Sequence, residues 1–263
     1  MESLVIFLQQ YPIWIVGAVF SLFAGLATGL GGIPIFFTRK ISPKLQNIFM
    51  GFGAGVMLAA TSFSLIIPGL EAAGGGVYAA VISVTGILLG GLFLHLSDKY
   101  LPHEHFFSGP EGSNFLKLRK AWLFIIAITL HNFPEGLAVG VGFGGGNIAN
   151  GISLAVGIGL QNIPEGLVVA LALLANKYTV GKAFMIALLT GLVEPIGGIL
   201  GSGIVNFFLP VLPWGLAFAA GAMLYVISDE IIPESHRRGF AKQATIGLMI
   251  GFVIMLFLDV TLG

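Results

Sequence analysis

Two glutamates in the middle of apolar segments are the residues of this sequence best suited to chemistry. Residues 131–137 read HNFPEGL and residues 161–167 read QNIPEGL, so each glutamate belongs to the same short motif. In each motif a polar residue stands four positions earlier, which places His131 on the same helix face as Glu135, and Gln161 on that of Glu165. A buried charge is costly unless it is paired or hydrated, so both glutamates are functional candidates.

The paired motifs predict a metal site. If the two helices pack antiparallel with these faces together, two carboxylates, one imidazole and three amides converge, including those of Asn132 and Asn162. Carboxylates this close repel each other unless a cation lies between them. The chain has no cysteine, and imidazole with carboxylates and amides suits Zn²⁺ but also Fe²⁺, Mn²⁺, Co²⁺ and Cd²⁺, among which the ligand types do not choose.

Three further residues could extend this site. Glu194, just before Pro195, is a third carboxylate in an apolar segment and could complete a second metal position. Met57 and Ser64 are seven residues apart on one helix face and could add thioether and hydroxyl contacts. Taken alone, packing is the simpler explanation for Met57 and a helix back-bond for Ser64.

A second group of polar residues could form a cytoplasmic exit for the metal. Asp229 and Glu230 stand near the end of one apolar segment, and His103 and His105 stand in a polar loop. A solvated helix end is the alternative explanation for the acidic pair.

The composition requires a bilayer around these residues. The 263 residues are 56% apolar and only 9% charged, with a mean hydropathy of +0.98, which excludes a water-soluble domain. We therefore expect an all-α integral membrane protein of the cell membrane, inner or plasma, with the whole chain 1–263 as one domain and a cytoplasmic loop at about 97–120. Eight apolar stretches are long enough to span, at about 11–37, 45–70, 76–96, 121–143, 150–174, 183–208, 214–233 and 243–262.

Basic residues set the predicted orientation. All twelve Lys and Arg lie in or beside the connections after spans one, three, five and seven. The positive-inside rule places these four connections in the cytoplasm and both termini outside it.

Internal resemblances predict an inverted repeat centred on spans four and five. The two seven-residue motifs relate span four to span five. More weakly, residues 54–58 (AGVML) before Pro68 resemble residues 220–224 (AGAML) before Pro233, which relates span two to span seven. Inverted repeats are typical of secondary transporters, whose substrate lies near the midplane.

The two motifs resemble those of the ZIP (Zrt/Irt-like) metal transporters, and the Gln-Asn form of the second is most similar to the GufA-type branch. The resemblance covers the whole chain and implies movement of metal toward the cytoplasm by alternating access, often in a homodimer. It implies a principal transport site and a second site that shares Glu135 and Glu165. The principal site would comprise His131, Glu135, Gln161, Glu165, Ser64 and Met57, and the second would add Asn132, Asn162 and Glu194. Some relatives have Asp in place of Asn162, and others have His in place of Gln161.

Two other functions fit parts of the pattern. An intramembrane metalloenzyme could use His131 and Glu135 to hold a catalytic zinc, but the His-Glu-x-x-His motif is absent. A proton-linked carrier of another solute could use the two glutamates as a relay. We favour a transporter, not an enzyme, with divalent metal as its substrate, no resident cofactor, and the bilayer rather than nucleic acid as its surroundings.

The orientation is open to a direct test. We expect a reporter fused after Gly263 to be active only outside the cytoplasm, because the last connection with basic residues precedes span eight. Activity of that reporter in the cytoplasm would contradict the predicted topology.

Overall fold

A computed structural model describes residues 2–100, 103–105, 109–111, 120–236 and 239–262, and these form mainly helices. The α-helices are α1 (Glu2–Leu8), α2 (Ile13–Gly32), α3 (Pro43–Ala59), α4 (Ile67–Ala72), α5 (Gly76–Tyr100), α6 (Lys120–Gly144), α7 (Ile148–Ala175), α8 (Val180–Gly191), α9 (Glu194–Phe207), α10 (Leu212–Val226), α11 (Ile232–His236) and α12 (Ala241–Leu262). Short 3₁₀ turns occupy Ile33–Phe36 and Leu209–Val211. Two π-helical turns continue the helices, Ala60–Ile66 between α3 and α4 and Ile227–Ile231 between α10 and α11.

The described part of the chain includes one pair of short β-strands besides the helices. Strands β1 (His103–His105) and β2 (Gly109–Glu111) pair antiparallel within the segment predicted as a polar loop. The prediction of an all-helical chain therefore holds for the apolar segments, and the hairpin lies between them.

The described residues include seven segments long and apolar enough to cross a bilayer. They are Ile13–Phe36, Pro43–Ala72, Gly76–Ser97, Ile148–Ala175, Val180–Phe207, Leu209–His236 and Ala241–Leu262, and each matches a predicted span to within a few residues. The predicted fourth span coincides with α6, which is 25 residues long. Large apolar side chains such as Phe37 and Phe207 lie almost fully exposed, as lipid-facing side chains do.

Short connections with capping residues join consecutive helices. Ser42 accepts a hydrogen bond from the Leu45 amide at the start of α3, and Thr179 caps α8 in the same way. Asn147 caps α7 by accepting from the Asn150 amide. Because only residues 145–147 separate α6 from α7, these two helices are antiparallel neighbours. The two repeated motifs are therefore brought side by side.

Glycines allow the helices to approach backbone to backbone. The most extensive helix contacts are those of α3 with α12, α6 with α9, α5 with α10, and α2 with α7. A Cβ atom on Gly55 of α3 would overlap the Leu248 carbonyl of α12, and one on Gly221 of α10 would overlap the Ile87 carbonyl of α5. Small residues serve this purpose in membrane proteins, where close packing replaces the hydrophobic effect as the main source of association.

The substitution Gly55→Ala tests this packing. We expect it to destabilise the protein by about 1–3 kcal/mol, because the added methyl group forces α3 away from a backbone carbonyl of α12. The measurement is the melting temperature of purified protein in detergent. Gly181→Ala in α8 is the matched control, since its Cβ would meet no atom within 4 Å. Equal melting temperatures for the two variants would contradict the inferred contact.

Candidate metal centre

Helices α6 and α7 each carry one motif past an internal proline. Pro134 lies inside α6 and Pro164 inside α7, and both helices continue beyond the proline. Each proline removes one N–H donor, which frees the carbonyl four residues earlier, at Leu130 and Leu160. Polar backbone is thus released next to polar side chains.

Three side chains from the two motifs meet in the interior. His131 Nε2 lies 3.7 Å from Glu135 Oε1 and 3.9 Å from Glu165 Oε2. One potential ligand atom from each residue lies within 4.8 Å of the others. Ligand atoms around a tetrahedral zinc ion at bond lengths near 2.0–2.1 Å are about 3.3 Å apart. The cluster would need only a small contraction to reach that geometry.

Most polar atoms of this cluster have no hydrogen-bond partner among the described residues. Among the described residues, none bonds to either ring nitrogen of His131, to Glu135 Oε2, or to either carboxylate oxygen of Glu165. The Glu135 side chain is buried, and that of Glu165 is 15% exposed. Buried polar atoms are normally satisfied, so this many unsatisfied donors and acceptors at one point call for a missing partner. A cation between the acidic oxygens and an imidazole nitrogen would supply it.

A third carboxylate approaches the imidazole from the π-helical turn Ile227–Ile231. Glu230 Oε2 lies 3.6 Å from His131 Nδ1, so this residue, predicted from sequence as part of an exit, borders the cluster itself. Its neighbour Asp229 is exposed. The backbones of His103 and His105 lie in β1, and their side chains fall outside the part of the chain that the structure describes.

Gln161, Asn162 and Glu194 form a hydrogen-bonded chain that begins at Glu135. The Gln161 amide nitrogen lies 2.6 Å from both Glu135 Oε1 and Asn162 Oδ1, and donates to them. The Asn162 amide donates to Glu194 Oε1 at 2.6 Å and to the Ala24 carbonyl of α2 at 2.9 Å. All four polar side chains are buried.

Asn132 and Met57 are also buried, without a polar link to the cluster. Neither amide atom of Asn132 has a hydrogen-bond partner among the described residues. Met57 packs in the main hydrophobic core, where its carbonyl accepts a hydrogen bond from the Thr61 hydroxyl.

Ser64 is engaged elsewhere. Its hydroxyl donates to a carboxylate oxygen of Asp259 near the end of α12, and its backbone carbonyl accepts from the Asn150 side chain at 3.2 Å. Sequence reasoning missed Asp259 and Asn150 as partners of Ser64. A carboxylate near the end of an apolar span was the available signal for Asp259.

Thr28 of α2 is another residue that sequence reasoning missed. Its hydroxyl is buried without a hydrogen-bond partner among the described residues, beside Gly191. No sequence signal could have singled it out, because threonine in a helix commonly back-bonds to its own backbone.

Comparison with known proteins adds a family to this geometry. The family model for the ZIP zinc transporter matches residues 110–259. The chain is 53% identical to the zinc transporter GufA of Myxococcus xanthus over 94% of this chain and 99% of that protein. It is 45% identical to the zinc transporter ZIPB of Bordetella bronchiseptica, over 90% of this chain and 78% of that protein. It is 33% identical to the zinc transporter ZIP11 of Homo sapiens, over 90% and 94% respectively.

Thermal stability measures whether the cluster takes a cation. At a zinc concentration 100 times the dissociation constant, we expect a stabilisation of about 2.7 kcal/mol, because zinc binds the folded cluster only. The measurement is the melting temperature in detergent with and without Zn²⁺, in a background of His103→Ala and His105→Ala that removes the two histidines of β1.

The substitution His131→Ala should abolish most of that zinc-dependent shift. Thr129→Val is the control on the same helix, since among the described residues the Thr129 hydroxyl bonds to the Ile125 carbonyl of its own helix. A shift that survived His131→Ala unchanged would place the zinc elsewhere.

Proposed function

The chain belongs to the ZIP zinc transporter family, and from that premise we propose that it carries Zn²⁺ into the cytoplasm through a site between α6 and α7. The ligands at the centre of this site are His131, Glu135 and Glu165. The chain is an integral multi-pass membrane protein whose relatives are named zinc transporters. Those names support a transporter rather than an intramembrane metalloenzyme.

The cluster of unsatisfied polar atoms carries the proposal. An imidazole and two carboxylates have ligand atoms within 4.8 Å of one another, and most of their nitrogen and oxygen atoms have no hydrogen-bond partner among the described residues. These are ligands that zinc accepts, and the carboxylates bring the charge that a divalent ion neutralises. A structural salt bridge would instead bring its charged atoms within hydrogen-bonding distance, and these contacts are 3.7 and 3.9 Å.

We place the site in a transporter with eight spans that forms one domain. Helix α6 supplies the fourth span, and the seven other segments supply the rest. The distribution of basic residues then places both termini outside the cytoplasm. The homodimer implied by the family resemblance stays a prediction.

The contacts of α2, α6, α7 and α9 support an inverted repeat. A Cβ on Gly166 of α7 would overlap the Thr28 carbonyl of α2, and a Cβ on Gly136 of α6 would overlap the Glu194 carbonyl of α9. Exchanging α7 with α6 and α2 with α9 turns one contact into the other. A second pair of contacts obeys the same exchange, Gly31 with the Ile163 carbonyl and Gly197 with the Phe133 carbonyl.

The π-helical turns extend the repeat to spans two and seven. The turn Ala60–Ile66 leads into Ile67 and Pro68, and the turn Ile227–Ile231 leads into Ile232 and Pro233. Both spans thus widen just before an Ile-Ile-Pro sequence. A shared irregularity of this kind favours a common origin over the chance recurrence of small residues and prolines.

Glu230 suggests how the ion leaves the site. This carboxylate lies near Nδ1 of His131, whereas Glu135 and Glu165 lie near Nε2. It stands beside the exposed Asp229. We propose that metal passes from the cluster to Glu230 and Asp229 and leaves toward the hairpin that holds His103 and His105.

Transport into proteoliposomes tests the proposed site. Glu135→Gln and Glu165→Gln keep the side-chain volume and remove one anionic ligand each, so zinc uptake should fall by at least tenfold, as loss of about 1.4 kcal/mol or more of binding would give. The measurement is the initial rate at which the fluorescence of a zinc-sensitive dye inside the vesicles changes. Thr129→Val is again the matched control and should transport at the wild-type rate.

Two outcomes would contradict the proposal. Wild-type uptake by either glutamate variant would show that the cluster does not carry the ion. Uptake of a second labelled divalent metal that zinc failed to reduce would show that zinc does not use the same site.

A further inference from the structure

The amides of Gln161 and Asn162 occupy the place where a second metal ion would bind. We propose that they close this position with hydrogen bonds, so that the central site of this chain holds one zinc ion at a time. The inference rests on the proposed function, and it concerns how many ions the site takes. It assigns Gln161, Asn162 and Glu194 to positioning roles rather than to the ligand set.

The orientation of the Asn162 amide is determined by the backbone of α2. Its nitrogen lies 2.9 Å from the Ala24 carbonyl and 2.6 Å from Glu194 Oε1, and both partners are acceptors. The opposite orientation would place the amide oxygen against two acceptors, which costs the full penalty of unmade hydrogen bonds. The nitrogen therefore faces Glu194, and an amide nitrogen that donates two hydrogen bonds has no lone pair for a metal.

The orientation of the Gln161 amide is determined in the same way, by its two neighbours. Its nitrogen lies between Glu135 Oε1 and Asn162 Oδ1, again two acceptors. The Asn162 oxygen is therefore already occupied by the Gln161 donor. One continuous chain of donors runs from Glu135 through Gln161 and Asn162 to Glu194, and it places N–H groups where a second cation would lie between carboxylates.

Asn132 provides the contrast within the same protein. It stands at the position of the first motif that corresponds to Asn162, yet neither of its amide atoms has a hydrogen-bond partner among the described residues. Asn132 is free to turn its oxygen toward a metal at the cluster of His131, Glu135 and Glu165. The asparagine of the first motif is thus available to a metal, whereas the asparagine of the second is held by hydrogen bonds.

Glu194 is stabilised without a metal. It is the first residue of α9, a helix of 14 residues, and the dipole of that helix favours negative charge at this end. The Asn162 donor adds a charge-assisted hydrogen bond to one oxygen. Its other oxygen, Oε2, has no hydrogen-bond partner among the described residues and is the one ligand that α9 could offer a second ion. A second ion bound there would lie beside the N–H donors of Gln161 and Asn162, whose partial positive charge disfavours a cation.

The number of zinc ions at the site tests this proposal. Zinc per chain is counted by elemental analysis after equilibrium dialysis at fixed free Zn²⁺, in the background of His103→Ala and His105→Ala. Each form is compared with the same form carrying Glu135→Gln, because Glu135 would be a ligand at both positions. We expect Glu135→Gln to remove one zinc from the otherwise wild-type protein. We expect it to remove two when Asn162→Asp is present, since a carboxylate there faces Glu194 and the Ala24 carbonyl and needs a cation.

The substitution Glu194→Gln separates a positioning role from a metal-ligand role. The Gln side chain still accepts from Asn162, so the variant with Asn162 intact should keep its single zinc. Combined with Asn162→Asp, it should bring the count from two back to one. The comparison with Asn162 intact keeps the proposal testable should Asn162→Asp fold poorly.

Each other result decides against a stated claim. Removal of two zinc ions from the otherwise wild-type protein would overturn the single-ion inference and leave the proposed function standing. Removal of none would overturn the proposed site and the inference with it. A count of one in the folded Asn162→Asp protein, or loss of the single zinc in Glu194→Gln, would show that the amide bridge is not what closes the second position.

Discussion

The approach of Glu135 to Glu165 is the constraint on which the rest of the protein depends. Two unit charges separated by 4–5 Å repel by roughly 3–4 kcal/mol at an effective dielectric constant near 20. Separate helices in a bilayer would simply move apart to relieve such repulsion. Here α6 and α7 are joined by the short connection 145–147. Each also packs against a further helix, α6 against α9 and α7 against α2, so the charges stay together. A cation that enters between the carboxylates relieves this repulsion.

Close contacts at glycines hold α6 against α9 and α7 against α2. Gly136 fits against the backbone of α9 and Gly166 against that of α2, in contacts that leave no room for a methyl group. A helix locked in this way cannot shift by a fraction of an ångström to lengthen a carboxylate contact. The four helices α2, α6, α7 and α9 pack closely against one another, whereas α3 with α12 and α5 with α10 form further close pairs. Alternating access in such a molecule would carry the cluster with its supporting helices rather than rebuild it.

Sequence reasoning succeeded where one dominant force determines the outcome. The bilayer's demand for apolar length located the spans to within a few residues, and the four-residue spacing correctly put His131 and Glu135 on one face. It could not foresee contacts that depend on helices distant in the chain. The Ala24 carbonyl that orients Asn162 belongs to α2, and the Asp259 carboxylate that engages Ser64 belongs to α12. The π-helical turn that brings Glu230 to His131 arises from packing, because nothing in the local sequence demands an extra residue per turn.

The repeated motifs share a backbone arrangement but differ in chemistry, and this difference suits a carrier. Where α9 presents Glu194 to the Asn162 side, the corresponding contact of α2 presents the neutral Thr28. A neutral amide at 162 adds no charge to the pair of carboxylates that one divalent ion can balance. More anionic ligands would bind the ion more tightly, and an ion held too tightly cannot be released on the other side of the membrane. An asparagine at 162 thus keeps the negative charge at the site one unit lower than an aspartate would, which favours release of the ion.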